Sequence, residues 1–287
     1  MLTSAVGVLF DGFAYGMLLF LLSVGLSVTL GMMNFVNLAH CSFAMVGGYA
    51  TVTLINRFGW PFLATLPMAF LAGALISLLL ERTLFKRLYR ASDLDQCLLT
   101  IGIVFISIAA FAWFYTTEQQ SARPPEWLRQ SVTVGNLNLA GYRLFLIVFG
   151  LVTTGCLFFL LERTNFGAKV RAAVDNQRMA RGLGIDVDRA FMLTFALGGG
   201  LAGLGGALAI EVVGLDPTFA LAYLVYVLIV VAVGGLGSIG GSFAAAVVLG
   251  ISDMAGKYYF PWLGAFLIYL VMVALLMWRP LGLFGKR

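Results

Sequence analysis

The chain has 287 residues, of which 61% are hydrophobic and 11% are charged, and its formal net charge is +5. An ordinary soluble domain carries about 25% charged residues, so a water-soluble protein of ordinary composition is excluded. Most of the chain lies in runs without Asp, Glu, Lys or Arg, each long enough to cross or nearly cross a hydrocarbon core about 30 Å thick as a helix. These runs are 12–56, 58–80, 96–117, 144–161, 190–210, 217–252 and 258–278. The run 144–161 lacks the alternation of a barrel strand, so the sequence predicts an all-α, polytopic bundle of transmembrane helices.

The basic residues predict which loops face the cytoplasm. Thirteen of the 18 cations fall in 81–95, 162–189 and 279–287, and 117–143 holds three of the others. By the positive-inside rule the first three stretches, including the C-terminus, are cytoplasmic and 117–143 is external. The cations of the inner set are Arg82, Lys86, Arg87, Arg90, Arg163, Lys169, Arg171, Arg178, Arg181, Arg189, Arg279, Lys286 and Arg287. Because these cations lie in short loops, they indicate topology and not nucleic-acid binding. No basic region precedes the first apolar run, so a cleavable signal peptide is not expected.

Two apolar segments contain a polar or glycine-rich interruption. The first breaks between Gly31 and His40, among Asn34 and Asn37. The second, 217–252, would reach about 54 Å as one helix, which is too short for two full crossings and a turn, and it breaks at 234–241. Discontinuous helices of this kind commonly flank the pathway of a transporter. We therefore predict about eight membrane segments, within a range of seven to nine, with both breaks near the central route.

The polar residues within the apolar runs offer few candidates for chemistry. His40 is the only histidine, so no histidine metal cluster is available. Beside Asn37 it either lines a pathway or caps the broken helix. The spacing of Asp253 and Lys257 predicts a structural ion pair on one helix. The three cysteines are expected to be small packing residues without a disulfide or metal role. They are Cys41, Cys97 and Cys156.

Two glycine-rich strings have structural explanations. Residues 235–240 match G-x-G-x-x-G, but no βαβ pattern surrounds them and no acidic residue follows at the required distance, so the match is accidental. No Walker-type sequence occurs, so any ATPase that drives transport is another polypeptide. The spacing of Gly199 with Gly203, and of Ala202 with Gly206, predicts close helix packing, within the subunit rather than between subunits.

The segment 167–189 is the most informative polar stretch. Val170, Ala173 and Ala180 form a weakly apolar stripe at helical spacing, and Gly182 and Gly184 end the helix. Such a helix either docks into the groove of a partner or lies on anionic lipid.

Five ordered motifs resemble the LivH-type permease subunits of branched-chain amino-acid ABC importers, and together they span nearly the whole chain. They are Asn37-Leu-Ala-His40 with Gly31, Phe43 and Gly47-Gly48-Tyr49; Arg163-Thr-Asn-Phe-Gly167 with Arg171, Asn176, Ala180 and Leu183-Gly184-Ile185; Asp216-Pro217; Gly234-Gly235-Leu-Gly237-Ser238-Ile-Gly240-Gly241; and Arg279-Pro-Leu-Gly282-Leu-Phe-Gly285.

The resemblance implies a translocation subunit without catalytic residues, formed by residues 1–287 as one permease domain in the bacterial cytoplasmic (inner) membrane. Its implied partners are a second related permease, two cytoplasmic ATPase subunits, an external solute-binding protein and membrane lipid, with ATP bound by the partner subunits and no cofactor or metal in this chain. The implied coupling helix, 168–188, includes Arg171, Ala173, Asn176, Ala180 and Gly184. The implied pathway residues are Asn37, His40, Cys41, Gly235, Gly237 and Ser238.

One departure from the family pattern affects the cargo. Cys41 stands where the family has Gly, and a side chain there could narrow the route or change the solute. Similar permeases also carry urea, short amides and aromatic acids, so these solutes remain alternatives to branched-chain amino acids.

Two other classes of protein serve as rivals to this interpretation. A secondary transporter driven by an ion gradient needs ionisable groups at membrane depth, and this chain offers little beyond His40 and Asp253. A membrane-embedded enzyme needs a nucleophile with a base, or a metal cluster, and the sequence contains neither pattern.

Overall fold

The computed structural model describes residues 2–33, 35–89, 91–122, 124–134 and 137–285. Four residues named above lie outside these ranges. They are Asn34, Arg90, Lys286 and Arg287.

The described chain is mostly helical, as the uncharged apolar runs predict. The helices are α1 (Leu2–Met33), α2 (His40–Phe58), α3 (Phe62–Leu80), α4 (Asp93–Tyr115), α5 (Glu126–Arg129), α6 (Gly141–Arg163), α7 (Asn165–Asp175), α8 (Gln177–Gly182), α9 (Val187–Val213), α10 (Phe219–Gly234), α11 (Ile239–Tyr259) and α12 (Gly264–Trp278). After α3 the chain continues through a π-helical turn, Glu81–Phe85, and a last α-helical turn, Lys86–Leu88.

Eight of the described helices are apolar enough to lie in a membrane. Six have the length and composition of complete spans, and they correspond to α1, α3 with its extension, α4, α6, α9 and α11. Two shorter apolar helices, Phe219–Gly234 and Phe266–Trp278, complete the set. This agrees with the prediction of about eight segments that include short or broken helices. α2 accompanies them as a more polar helix.

Small residues allow the central helices to pack backbone against backbone. α1 and α9 are the most buried of the long apolar helices. A Cβ atom added to Gly25 of α1 would meet the carbonyl group of Gly198 of α9, and one added to Gly203 would meet the carbonyl group of Ala69 of α3. The prediction that the glycines of 198–206 pack within the subunit is therefore confirmed.

The cations of the described residues lie at the two ends of the bundle in the grouping that the sequence predicts. Lys86 pairs with Asp188 of α9 at 2.8 Å, and the C-terminal residues 279–285 pack against the turn after α10 at the same end. We call this end, with 81–89, 163–189 and 279–285, the basic end. Arg143 pairs with Asp11 at the opposite end.

Two features differ from the sequence-based expectations. Residues Ser131–Val134 and Leu137–Ala140 pair as two short antiparallel strands that an all-α prediction does not include. The expected single helix 168–188 is wrong in its bounds. It is two helices, α7 and α8, and α9 already begins at Val187. Asn176 divides them because its extended backbone ends α7 while its side chain accepts a hydrogen bond from the Met179 amide at 3.0 Å and caps α8.

Candidate functional site

The first break turns the chain back into the bundle. After α1 ends at Met33, the described residues 35–39 are not helical, and α2 begins at His40. The fully buried imidazole of His40 donates from Nε2 to the Leu22 carbonyl oxygen at 3.0 Å, about three helical turns before the end of α1. α2 therefore starts inside the bundle and not at its surface.

Side chains from α4 hold this break in place. The Gln96 Oε1 atom accepts a hydrogen bond from the Val36 amide at 2.9 Å, and the Thr100 hydroxyl accepts one from the Leu38 amide at 3.2 Å. Unpaired backbone amides at membrane depth are costly, so these side chains replace the missing helical partners. Asn37 is buried, and its Oδ1 accepts from the Ala39 amide at 3.1 Å. Its Nδ2 has no hydrogen-bond partner within the described chain.

The second break lies between α10 and α11 and meets the end of α1. Gly235 and Gly237 have φ angles of 94° and 78°, a backbone conformation that favours glycine. Ser238 then caps α11 by accepting a hydrogen bond from the Gly241 amide at 3.0 Å. A Cβ atom on Gly237 would lie 3.0 Å from the Cα atom of Gly31. The two breaks therefore touch at the basic end.

The C-terminal motif closes over the second break. The Leu283 amide donates to the Val233 carbonyl at 2.7 Å, and the Phe284 amide donates to the Gly234 carbonyl at 3.2 Å. These bonds satisfy carbonyl groups that the end of α10 leaves without helical partners. Motifs that are far apart in the sequence thus form one structural unit at the basic end.

The proposed pathway residues fall into two groups. Asn37, His40 and Cys41 are buried beside the middle of the bundle, whereas Gly235, Gly237 and Ser238 lie at the basic end. None of these six lines the described cavity of about 220 Å³. That cavity lies between the ends of α2 and α4 at the opposite end, and its lining residues include Thr53, Asn56, Arg57, Tyr115 and Gln120. A role of the six residues in solute passage stays a prediction.

The segment of α7 and α8, which we call the coupling segment, is anchored to the bundle by its apolar stripe. Val170, Ala173 and Ala180 are buried in a cluster that also contains Val187 and Phe191 of α9. The Arg171 guanidinium donates to the Leu161 carbonyl oxygen. The expected contact of Ala173 and Ala180 with a partner is therefore wrong, because these methyl groups face the chain's own core.

The outward face of the coupling segment carries different residues. Met179 and Leu183 are 66% and 79% exposed, and they lie one helical turn apart. Arg178 and Arg181 flank this apolar pair. Asn176 and Gly184 are exposed at the two ends of α8, and Gly184 has a φ of 80°. An apolar pair with a basic rim is typical of a surface that docks another protein.

Both ionisable residues that the sequence offers to a secondary transporter already bind a partner within the chain. His40 is bound to α1, as described above. Asp253 is fully buried, and its Oδ2 lies 2.5 Å from the Lys257 ammonium, which sits 5.4 Å from the centre of the Tyr15 ring. The predicted ion pair of α11 is confirmed.

Sequence reasoning missed the polar residues that hold the first break. Gln96 and Thr100 lie at the start of the uncharged run 96–117, which predicts a plain crossing, and Glu81 directly follows the uncharged run 58–80. Glu81 is buried and accepts a hydrogen bond from the Tyr89 hydroxyl at 2.8 Å. A buried amide or carboxyl group within an apolar run needs a partner, and that requirement was the available signal.

Comparisons with known proteins agree with this architecture. The profile of the family described as "Branched-chain amino acid transport system / permease component" matches residues 8–276. A probable branched-chain amino acid transport permease protein LivH from Methanocaldococcus jannaschii is 29% identical, with 94% of this chain and 90% of the relative covered. The permease BraD of Pseudomonas aeruginosa is 22% identical over 97% of this chain and 95% of its own length.

A second kind of permease also matches. The high-affinity branched-chain amino acid transport permease LivM of Salmonella typhimurium is 25% identical over 93% of this chain and 68% of its own length. No solved structure matches the chain at a significant level. Since the family profile covers nearly all of the sequence, the chain belongs to the family of branched-chain amino-acid transport permease components.

Proposed function

We propose that this permease is the translocation subunit of an ABC importer for branched-chain amino acids or closely related small solutes, powered by separate ATPase subunits. The relatives LivH, BraD and LivM are named as branched-chain amino acid transport permeases, which supports this cargo. The family consists of transport permeases, so the prediction that the chain is not an enzyme is confirmed.

The proposed coupling to an ATPase rests on the outward face of the coupling segment. Met179 and Leu183 expose apolar side chains at an end of the bundle that is otherwise rich in cations. Exposing two large apolar side chains to water is unfavourable, and burial against a partner recovers about 1.5–3 kcal/mol for each that becomes fully buried. The ATPase subunits are the proposed partner, and ATP is bound by them.

The membrane orientation and the remaining partners follow from the same proposal. The basic end is the cytoplasmic one by the positive-inside rule, which puts the C-terminus inside. The opposite end, with its paired strands Ser131–Val134 and Leu137–Ala140, then faces the solute-binding protein. A related permease of the LivM kind is the proposed second transmembrane subunit, and the inner membrane is the proposed location.

The experiment that tests this proposal changes the exposed face alone. Leu183→Glu adds a charge to a side chain that is 79% exposed, so the fold of the free permease should not change. Burying an unpaired carboxylate against an ATPase is costly, so we expect the complex to lose uptake and solute-stimulated ATP hydrolysis while the permease remains in the membrane. The measurement is uptake of radiolabelled leucine into proteoliposomes that contain the full complex.

A matched control separates docking from a general effect of added charge. Leu94→Glu places the same charge on a leucine that is 67% exposed in the first turn of α4, at the same end of the bundle. We expect Leu94→Glu to keep most of the uptake, because Leu94 lies outside the coupling segment. Arg178→Ala at the rim should also keep most of the uptake, since an exposed ion pair contributes about 0–1 kcal/mol. Normal uptake by Leu183→Glu would refute the docking role of the coupling segment.

A further inference from the structure

Tyr89 connects the coupling segment to the first break. Its ring makes an edge contact with Phe191 at the start of α9, with 6.2 Å between ring centres, and another with Phe35 in the first break at 5.7 Å. It also packs against the apolar cluster that anchors Val170 and Ala180 of the coupling segment. One side chain therefore touches both the segment proposed to bind the ATPase and the segment at which α1 is interrupted.

A buried acid fixes the position of the Tyr89 ring. The Tyr89 hydroxyl donates to Oε1 of Glu81 at 2.8 Å, and Glu81 is 3% exposed. Burial, followed by the hydrogen bond with Glu81, raises the pKa of the Tyr89 hydroxyl. The hydroxyl thus keeps its proton at physiological pH and remains a donor, so the link persists under working conditions.

The Glu81 carboxyl group belongs to the π-helical turn that ends α3. π-helical turns are rare and occur frequently at functional sites. The turn also contains Phe85, whose ring centre lies 5.2 Å from that of Phe35 and 5.4 Å from that of Phe195 in α9. The π-helical turn therefore contributes two contacts, from Glu81 to Tyr89 and from Phe85 to Phe35.

Hydrogen bonds tie the loop that carries Tyr89 to the first break. Gln96 Oε1 accepts from the Val36 amide, while its Nε2 donates to the Leu88 carbonyl at 3.2 Å and to the Ala91 carbonyl at 3.4 Å. One amide side chain thus joins residues on both sides of Tyr89 to the break. A displacement of the Tyr89 loop is therefore expected to move the backbone of residue 36.

Ion pairs tie the same loop to the coupling segment. Asp188 accepts from Lys86 at 2.8 Å and from Arg181 of α8 at 3.0 Å. These groups are about half exposed, so the pairs contribute little stability by themselves. They nevertheless add a second connection between α8 and the loop of Tyr89, parallel to the apolar packing.

We propose that Tyr89, held by Glu81 and packed between Phe191 and Phe35, is a positioning residue that transmits movement of the coupling segment to the first break. The proposal rests on the proposed function, because it assumes that an ATPase moves the coupling segment. When α8 moves, Tyr89 and Gln96 shift the backbone of 35–38, and the start of α2 becomes accessible. Loss of the Glu81 hydrogen bond leaves the ring packed but free to turn, so movement is no longer passed on.

Cys41 provides a readout for this movement. It is fully buried in the first turn of α2, directly after the break. The chain has three cysteines, so the background Cys97→Ser with Cys156→Ser leaves Cys41 as the only thiol of this subunit, on which labelling is measured after the subunits are separated. The rate at which a fluorescent maleimide labels Cys41 in the full complex, reconstituted in nanodiscs, is measured with and without ATP and Mg²⁺.

The variants separate transmission from stability. Tyr89→Phe keeps the ring and removes the hydroxyl, whereas Glu81→Gln keeps an oxygen that accepts from Tyr89. Tyr142→Phe at the opposite end is the matched control, because the Tyr142 hydroxyl also donates one hydrogen bond within the chain, to the Leu208 carbonyl at 2.8 Å. Each Tyr→Phe change therefore removes one hydrogen bond of the same length, and similar melting temperatures are expected.

We expect ATP to raise the labelling rate of Cys41 in the parent complex, in Glu81→Gln and in Tyr142→Phe. In Tyr89→Phe the ATP-dependent rise should fall at least about fivefold, the lower end of typical coupling between sites. A full response in Tyr89→Phe, or an equal loss in Tyr142→Phe, would overturn the proposal. If the parent complex shows no ATP-dependent change and no uptake, the proposed function itself is refuted, which is a distinguishable result.

Discussion

Gly16 of α1 offers a quantitative test of how the centre of the bundle is packed. A Cβ atom added there would lie 2.8 Å from the Ala246 carbonyl oxygen and 2.9 Å from the Val247 Cα atom of α11. Ordinary van der Waals contact begins at 3.4 Å. Because both neighbours are backbone atoms, no side chain can rotate away, and α11 must retreat by roughly 0.6 Å if its contacts are to return to ordinary packing distances.

The cost of Gly16→Ala has two parts of opposite sign. Overpacking a close-packed interior costs about 1–3 kcal/mol. Replacing glycine by alanine inside a helix gains about 0.5–1 kcal/mol. Gly7 lies in the same helix with no atom within 4 Å of its added Cβ, so Gly7→Ala shows the gain alone. The difference between the two variants isolates the overpacking cost.

Thermal unfolding with Cys41 as the reporter measures this difference. In the background without Cys97 and Cys156, a maleimide dye reacts when unfolding exposes the buried Cys41 thiol. A difference of about 1–3 kcal/mol corresponds to roughly 2–10 °C in melting temperature, with Gly16→Ala melting below Gly7→Ala. Combining Gly16→Ala with Ala246→Gly should not restore stability, because the clash is with a carbonyl group. Equal melting temperatures of the two single variants would refute the proposed backbone packing.

Two further predictions concern orientation and the second break. A maleimide that does not cross membranes should label Gln130→Cys from outside intact cells and should not label Asn176→Cys. Both residues are exposed, and they lie at opposite ends of the bundle. The reverse labelling pattern would invert the topology. Gly237→Ala should reduce uptake more than it reduces the amount of protein in the membrane, because Gly237 has a positive φ and touches Gly31. Gly240→Ala, in the next turn with no atom within 4 Å of an added Cβ, should transport normally, and equal uptake by both variants would contradict a special role for the break.

The sequence predicts the helices well because a membrane demands long uncharged runs, and those runs are visible without any knowledge of packing. The breaks are also visible: asparagine and histidine are unusual in such runs, as at 34–40, and 217–252 is too long for one crossing and contains the glycine cluster 234–241. The partners of the breaks are not visible. That Gly31 meets Gly237, and that Gln96 supplies a hydrogen bond to Val36, depends on contacts between helices that no local pattern encodes.

The coupling segment shows the limit of a periodic pattern. Val170, Ala173 and Ala180 correctly indicate a buried face, but the pattern does not tell whether the chain itself or a partner covers that face. Here α9 and Tyr89 cover it. The predicted helix 168–188 includes Asn176, because an asparagine can be either a helical residue or a cap, and only the backbone angles distinguish the two.

The polar character of α2 and its start inside the bundle bear on how the chain enters the membrane during synthesis. By composition, α2 is not among the helices that are apolar enough to cross a membrane. It carries the polar residues His40, Asn56 and Arg57. Insertion of such a segment is unfavourable unless other helices receive it. Two of its neighbours are α3, which follows at once, and α9, whose Gly203 contacts Gly47. At about 5–20 residues per second, α9 emerges from the ribosome roughly 8–30 s after α2. α2 is therefore expected to reach its final depth only after two thirds of the chain has been made.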